Sequence, residues 1–159
     1  MSSSSDIVFI VGIPRSGTTW LLSILEGHPD CQALVPGMLD IAVKNPTKET
    51  GLFVRGYSDA DILHRVAEAS RRYTGKILVE KTPSHMLALP RIKRLFPKSK
   101  IIHIRRNPLD VLFSMVQENR FWENSPKSLD EALELYVRFA QCESAFDAFD
   151  YSLRYEDLW

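Results

Sequence analysis

The feature that most restricts the fold is a five-residue apolar run, Ile7–Val11, mostly β-branched, that stops at Gly12 and gives way to a helical pattern from residue 18. A short run of that composition, closed by glycine, reads as a strand buried on both faces, which is the environment of a parallel sheet. Residues 18–25 then set Trp20, Leu21, Ile24 and Leu25 on one helical face, and Gly27 ahead of Pro29 ends the pattern. Strand, tight turn and helix follow one another with no spare residues.

The rest of the chain repeats that alternation. The stretches "KILVEKTP" at 76–83 and "SKIIHIRRNP" at 99–108 read as strands, with a helix over 87–96 between them. Residues 58–73 read as a helix with Ile62, Leu63, Val66 and Ala69 inward and Asp59 and Asp61 in its first turn. Asn107 and Pro108 are a cap and a first helical residue for a helix running to Glu118. Ser128 with Glu131 is a capping box that opens a helix to about Phe149, with Leu129, Ala132, Leu133, Tyr136 and Ala140 inward. "YSLRYE" is a last short strand, and residues 30–58, with no sustained period, read as a long irregular region beside the sheet. Strands alternating with helices predict an α/β fold of three layers, a mostly parallel sheet with flanking helices. With 159 residues, 45% of them hydrophobic, the expectation is a flexible lead at 1–6 and a single domain over 7–159.

Composition narrows the function classes. Twenty basic and twenty acidic side chains cancel, which argues against a broad nucleic-acid surface and leaves room for a local basic pocket. The two cysteines, Cys31 and Cys142, lack metal-ligand spacing, and no apolar segment reaches membrane length. A reduced, cytoplasmic protein without membrane partners is expected.

Residues 12–19, "GIPRSGTT", carry the glycine frame of a Walker A loop between a strand and a helix, so the fold expected is P-loop nucleoside triphosphate hydrolase-like. Amides of such a loop and the helix start converge on an anion, which places a phosphate at residues 15–19. The lysine that would reach the outer phosphates of ATP is missing: Gly17 is followed by Thr18. The third strand-like run ends in Arg105-Arg106, which suits a phosphate directly and does not suit Mg²⁺. Ser114, eight positions after Arg106, lies two helical turns on, roughly on the face of Asn107. Taken singly, Arg106 is a surface charge and Ser114 a helix-interior serine. Together with the loop they point to a ligand with two separated anionic groups and no metal between.

On these motifs the chain resembles the sulfotransferases that use 3′-phosphoadenosine 5′-phosphosulfate, PAPS, and release 3′,5′-diphosphoadenosine, PAP. "PRSGTTW" is similar to the family's 5′-phosphosulfate loop and "RRNPLDVLFSM" to its 3′-phosphate segment. "EKTPSHM" resembles a motif of bacterial and tyrosylprotein-type members, and "RYEDL" one of cytosolic members. The resemblance implies that Arg15 meets the sulfonate and bridging oxygen while Ser16, Gly17, Thr18 and Thr19 hold the 5′-phosphate. It gives Arg106 and Ser114 the 3′-phosphate, and Trp20 and Tyr155 the adenine, with core packing an equal reading of Trp20. Lys81, at a strand end, is the second catalytic cation implied, or else a solvent-facing lysine. For the acceptor's proton His85 is the first choice, as base or simply as a histidine near a helix start; Asp40 and Glu80 are the alternatives. His28, His64 and His103 have neither the spacing nor the neighbours of ligands.

Residues 30–58 and 119–127, with Phe121 and Trp122, are where acceptor contacts are expected. Acceptors implied are small molecules, carbohydrates or peptides. Family members continue past "YEDL" whereas this chain stops at Trp159, which reads as a minimal or C-terminally truncated domain. Two other classes fit the loop: a non-catalytic or degenerate PAP-binding module, and a P-loop kinase of small metabolites.

Overall fold

In the computed structural model, which describes residues 6–43, 48–117 and 125–158, β1 (Ile7–Val11) is the middle strand of a five-stranded sheet. Its alternate residues face opposite layers: Phe9 and Val11 enter one core, Ile10 the other. On the first side Phe9 is fully buried against the rings of Phe53 and Phe96, with centroids 5.6 and 5.9 Å away. Emptying that position with Phe9→Ala would cost about 3–5 kcal/mol.

The helices α1 (Thr18–Glu26), α2 (Asp59–Arg72), α3 (Leu89–Leu95), α4 (Pro108–Gln117) and α5 (Leu129–Ser144) cover both faces. α1 packs Leu21 and Leu22 on the Ile10 side; α2, α3, α4 and α5 bury Ile62, Ile92, Val111 and Phe139 on the Phe9 side. β2 (Cys31–Leu34), β3 (Ile77–Lys81), β4 (Lys100–Arg105) and β5 (Tyr151–Arg154) complete the sheet in the order β2-β3-β1-β4-β5, with every pairing parallel. The three layers are those expected from the sequence.

Several details differ. β2 lies inside the stretch read as irregular; its four residues, "CQAL", are too few and too mixed to show a period, and pairing with β3 is what makes them a strand. The helix expected over 87–96 is split into a 3₁₀ turn, Pro83–Ala88, and α3. α5 ends five residues before Phe149, and its inward face is carried by Ala132 and Phe139, while Leu129 and Leu133 are exposed. Ser128 does cap α5 by accepting from the Glu131 amide, but the Glu131 carboxylate reaches back to the Lys127 amide. In α2, Ile62, Val66 and Ala69 are buried and Leu63 is exposed. Glu118, Phe121 and Trp122 lie outside the described residues.

The parallel order brings one end of all strands to one edge. The loop after β1 stands between the end of β3, where Lys81 pairs with Ile10, and the end of β4, where His103 pairs with Val11. Ligands of open α/β sheets bind at that carboxyl edge.

Candidate active site

The loop between β1 and α1 turns back on itself through the Ser16 amide, which donates to the Ile13 carbonyl at 3.0 Å. Two of its residues are left-handed, Arg15 at φ 77° and Gly17 at φ 97°. A non-glycine residue there costs about 1–3 kcal/mol, strain of the kind found at binding loops. Gly17 has a second reason to be glycine: a Cβ would stand 2.4 Å from the Tyr155 ring. Gly12 likewise lets β4 approach, since a Cβ would meet the Ile104 carbonyl at 2.6 Å. A glycine N-cap brings no side-chain oxygen to the first amides of α1, the groups a phosphate uses. Ser16 and Thr18 are buried within this turn, while Thr19 is exposed and its carbonyl accepts from Ser23.

The second segment comes to the first. Arg15 Nε donates to Ser114 Oγ at 3.0 Å, ninety-nine positions away, and Arg106 Nη1 donates to the Arg15 carbonyl at 3.3 Å. The Arg106 guanidinium lies over the Tyr155 ring, 4.6 Å from its centroid, and the Trp20 ring meets Tyr155 edge-on at 5.9 Å. Trp20 is half-buried. Asn107 Oδ1 caps α4 by accepting from Leu109, and its amide donates to Glu156 Oε1 at 2.6 Å. That amide bond is the chief cause holding the Glu156 carboxyl below the ordinary range. Tyr155 and Glu156 therefore brace the Arg106-Asn107 corner from below. Arg105 instead turns toward Glu143, 3.4 Å away. Beside Arg106 and Asn107 lies a cleft of about 320 Å³ lined in part by Ser16, Arg105, Arg106, Asn107, Tyr136 and Arg154.

One atom in this cluster is orphaned. Arg106 Nε is buried and has no hydrogen-bond partner among the described residues. A buried donor left unpaired is costly, and an anion beside the loop would satisfy it.

At the end of β3 the arrangement is different. Lys81 is buried, 2% exposed, and its Nζ stands 2.9 Å from Glu49 Oε1, whose side chain is 42% exposed. Its neighbour Glu80 is fully buried and accepts from Thr50 Oγ1 at 2.6 Å and Thr82 Oγ1 at 2.7 Å, while its Oε2 lies 2.7 Å from His85 Nδ1. Burial opposes the charge of Glu80; His85 and the two hydroxyls outweigh it and hold the carboxyl below its usual range.

His85 corrects an expectation. Of the two readings, base or simply a histidine near a helix start, the structure favours the second: His85 is fully buried, and its Nε2 accepts from the Phe53 amide at 3.2 Å. That bond assigns the proton to Nδ1, facing Glu80, and leaves the ring no lone pair for an acceptor. Glu80 is enclosed in the same way. Asp40 is exposed, in a left-handed conformation that closes the 3₁₀ turn Pro36–Leu39, with its carbonyl bound by Arg65. The carboxylate that does stand beside Lys81 is Glu49, which pattern reasoning missed. Its signal is charge complementarity to a lysine 32 positions on, which a linear pattern does not display.

A profile of the sulfotransferase family matches residues 7–44 and 46–159. The chain belongs to that family. Among the relatives of this sulfotransferase-family chain is a Caenorhabditis briggsae protein whose name places it with protein-tyrosine sulfotransferases, 31% identical over 131 residues, 74% of this chain and 45% of the relative. Human heparan sulfate glucosamine 3-O-sulfotransferase 6 is 34% identical over 103 residues, 63% of this chain and 26% of that protein. The chain thus spans less than half the length of these curated relatives. The sulfotransferase domain from the curacin biosynthetic pathway superposes with a TM-score of 0.68 at 22% identity, covering 97% of this chain and 68% of that one. A mouse sulfotransferase solved in complex with PAP superposes with a TM-score of 0.55 at 20% identity, covering 96% and 53%. At those identities the likeness establishes the fold, which is P-loop nucleoside triphosphate hydrolase-like. Among the described residues no helix is long and apolar enough to cross a membrane.

Proposed function

We propose that the chain is a PAPS-dependent sulfotransferase acting on a hydroxyl or amine acceptor, with residues 7–159 working as one domain. The observation that carries this reading is the convergence of Arg15, Ser114, Arg106 and Tyr155 on one loop, with the buried Nε of Arg106 unpaired. An adenosine with phosphates at both the 3′ and 5′ positions fits that donor set: the loop amides, Ser16 and Thr18 take the 5′ end, Arg106 and Ser114 the 3′ end, and Trp20 and Tyr155 the base. The donor supplies the sulfuryl group. Protein cations rather than a divalent ion meet its charge, because the strand end that would carry a metal-binding acid in an ATPase carries Arg105-Arg106.

Catalysis in this reading is electrostatic. As the acceptor's oxygen or nitrogen bonds to sulfur and the S–O bond to the 5′-phosphate breaks, Arg15 and Lys81 balance the charge left on the phosphate. The acceptor's proton passes to Glu49, the partly exposed carboxylate at Lys81. The relatives named for protein tyrosine and for heparan sulfate glucosamine favour a hydroxyl on a peptide or carbohydrate.

The test compares thermal shifts with PAP and with ATP plus Mg²⁺, then follows PAP release from PAPS with a tyrosine peptide, a glucosaminyl oligosaccharide and 4-nitrophenol. A larger shift with PAP, and release with at least one acceptor, are expected. A larger shift with ATP and Mg²⁺ would make it a kinase, and PAP binding without turnover would make it a binding module.

A further inference from the structure

We propose that the buried cluster of Glu80, Thr50, Thr82 and His85 is a positioning device that pins loop 49–53 to the end of β3 and so holds the Glu49 carboxylate at Lys81. This rests on the reading of Glu49 as the proton acceptor.

The bonding is regular. Thr50 and Thr82 each donate a proton to the Glu80 carboxylate, His85 Nδ1 stands 2.7 Å from it, and each of the three side chains takes one amide of the loop. Thr82 Oγ1 accepts from Gly51 at 3.1 Å, Thr50 Oγ1 from Leu52 at 3.2 Å, and His85 Nε2 from Phe53 at 3.2 Å. Three consecutive amides are thereby fixed to one carboxylate through three side chains. Gly51, at φ 61°, makes the turn that presents them. Phe53 adds an edge-on ring contact to His85, 5.0 Å between centroids.

Stability alone does not call for such an arrangement. A buried carboxylate is expensive to desolvate, and apolar residues of similar volume would pack this space at least as well. Directional bonds do something that packing does not: they set the register of the backbone. Glu49 is the residue immediately before Thr50, and its carboxylate is the one that meets Lys81. A loop free to slide by an ångström would take that carboxylate off the lysine, and displacements of that size cost about 100-fold in rate. Glu80 and His85 are positioning residues in this account, and neither touches the reacting atoms.

The experiment uses Thr50→Val, which removes one hydroxyl at nearly constant volume, Thr50→Ser, which restores it, and Glu49→Gln, alone and combined with Thr50→Val. Amide hydrogen exchange at 51–53, the Kd for PAP, and kcat with PAPS and the fastest acceptor of the panel are measured for each. Thr50→Val is expected to speed exchange at Leu52 and lower kcat about 10-fold or more. PAP affinity should stay within about twofold, and Thr50→Ser should keep near wild-type values. Glu49→Gln should lower kcat by about 100-fold, and Thr50→Val should add nothing to it. Unchanged exchange, wild-type kcat in Thr50→Val, or an undiminished further loss in the double variant would each overturn the tether. Wild-type turnover in Glu49→Gln alone would remove Glu49 from the chemistry, and the proposal with it, a result distinguishable from the other three.

Discussion

Two parts of the carboxyl edge carry the cations assigned to the donor, and they are built in opposite ways. At the ends of β1, β4 and β5 the polar groups lie toward solvent: Arg15 is exposed, Arg106 and Ser114 are partly so, and Arg106 Nε has no partner among the described residues. At the end of β3 the polar groups close on one another, with Glu80, His85, Thr50 and Thr82 all buried and only the Glu49 carboxylate reaching outward. The open part has the character of a binding surface, with solvent-facing side chains beside one unpaired guanidinium nitrogen. The closed part has the character of a mount: Thr82, Thr50 and His85 each hold one amide of a loop. The difference assigns donor affinity to one side and the rate of transfer to the other.

Separating the two by mutation sharpens that division. The largest effect is expected at Lys81: Lys81→Met, which keeps much of the buried volume, should lower kcat by about 100- to 1000-fold in PAPS turnover while calorimetry finds PAP affinity within a few-fold of wild type. Arg106→Ala should do the reverse. Loss of a charged donor should weaken PAP by about 10- to 100-fold and leave kcat at saturating donor nearly intact. Tyr155→Leu, which removes the ring beneath Arg106, should weaken PAP by a smaller factor, about 3- to 10-fold, in the same titration. If Lys81→Met abolished PAP binding, or Arg106→Ala lowered kcat with affinity unchanged, the division of labour would break down.

The smallest effect concerns the packing behind the open side. Burial, and then Arg105, lower the pKa of His103 in β4 to about 4. An unfolded histidine titrates near 6.5, so the unfolded chain takes up the proton first; stability is complete above about pH 6.5 and falls as the pH drops toward 4. Burial raises the nearby Glu143 carboxyl, which offsets part of that loss. His103→Gln should flatten the fall in Tm between pH 7 and pH 5 by a few degrees. PAP affinity at pH 7 should not change, because His103 stacks on Phe149 and is not part of the open cluster.

How much of this was legible in the sequence follows the same line. The open side could be read because its chemistry is fixed by residue type at short spacing: glycines that a loop needs at 12 and 17, an arginine at a strand end, and a serine two turns into the next helix. The layers could be read for the same reason, since β1 and α1 are set by local periodicity. What could not be read depends on partners far along the chain. Glu80 meets Thr50 and His85 meets Phe53 across 30 and 32 positions, in a stretch without a period of its own. β2 was missed there too, because only its pairing with β3 makes it a strand. A histidine four residues after a lysine looks like a base until it is found fully buried, with one nitrogen facing Glu80 and the other bonded to a backbone amide. α5 was placed by its cap, and Ala132, Tyr136 and Ala140 of its expected inward face pack on the core, whereas Leu129 and Leu133 remain outside.

The most direct test is a pair of calorimetric titrations, PAP and 5′-AMP, on the wild-type chain and on Arg106→Ala. The two nucleotides differ by the 3′-phosphate alone, so their ratio of affinities isolates the grip assigned to Arg106 and Ser114. PAP should bind the wild type at least 10-fold more tightly than AMP, and the ratio should collapse toward one in the variant. Equal affinities in the wild type, or an unchanged ratio in Arg106→Ala, would contradict the account.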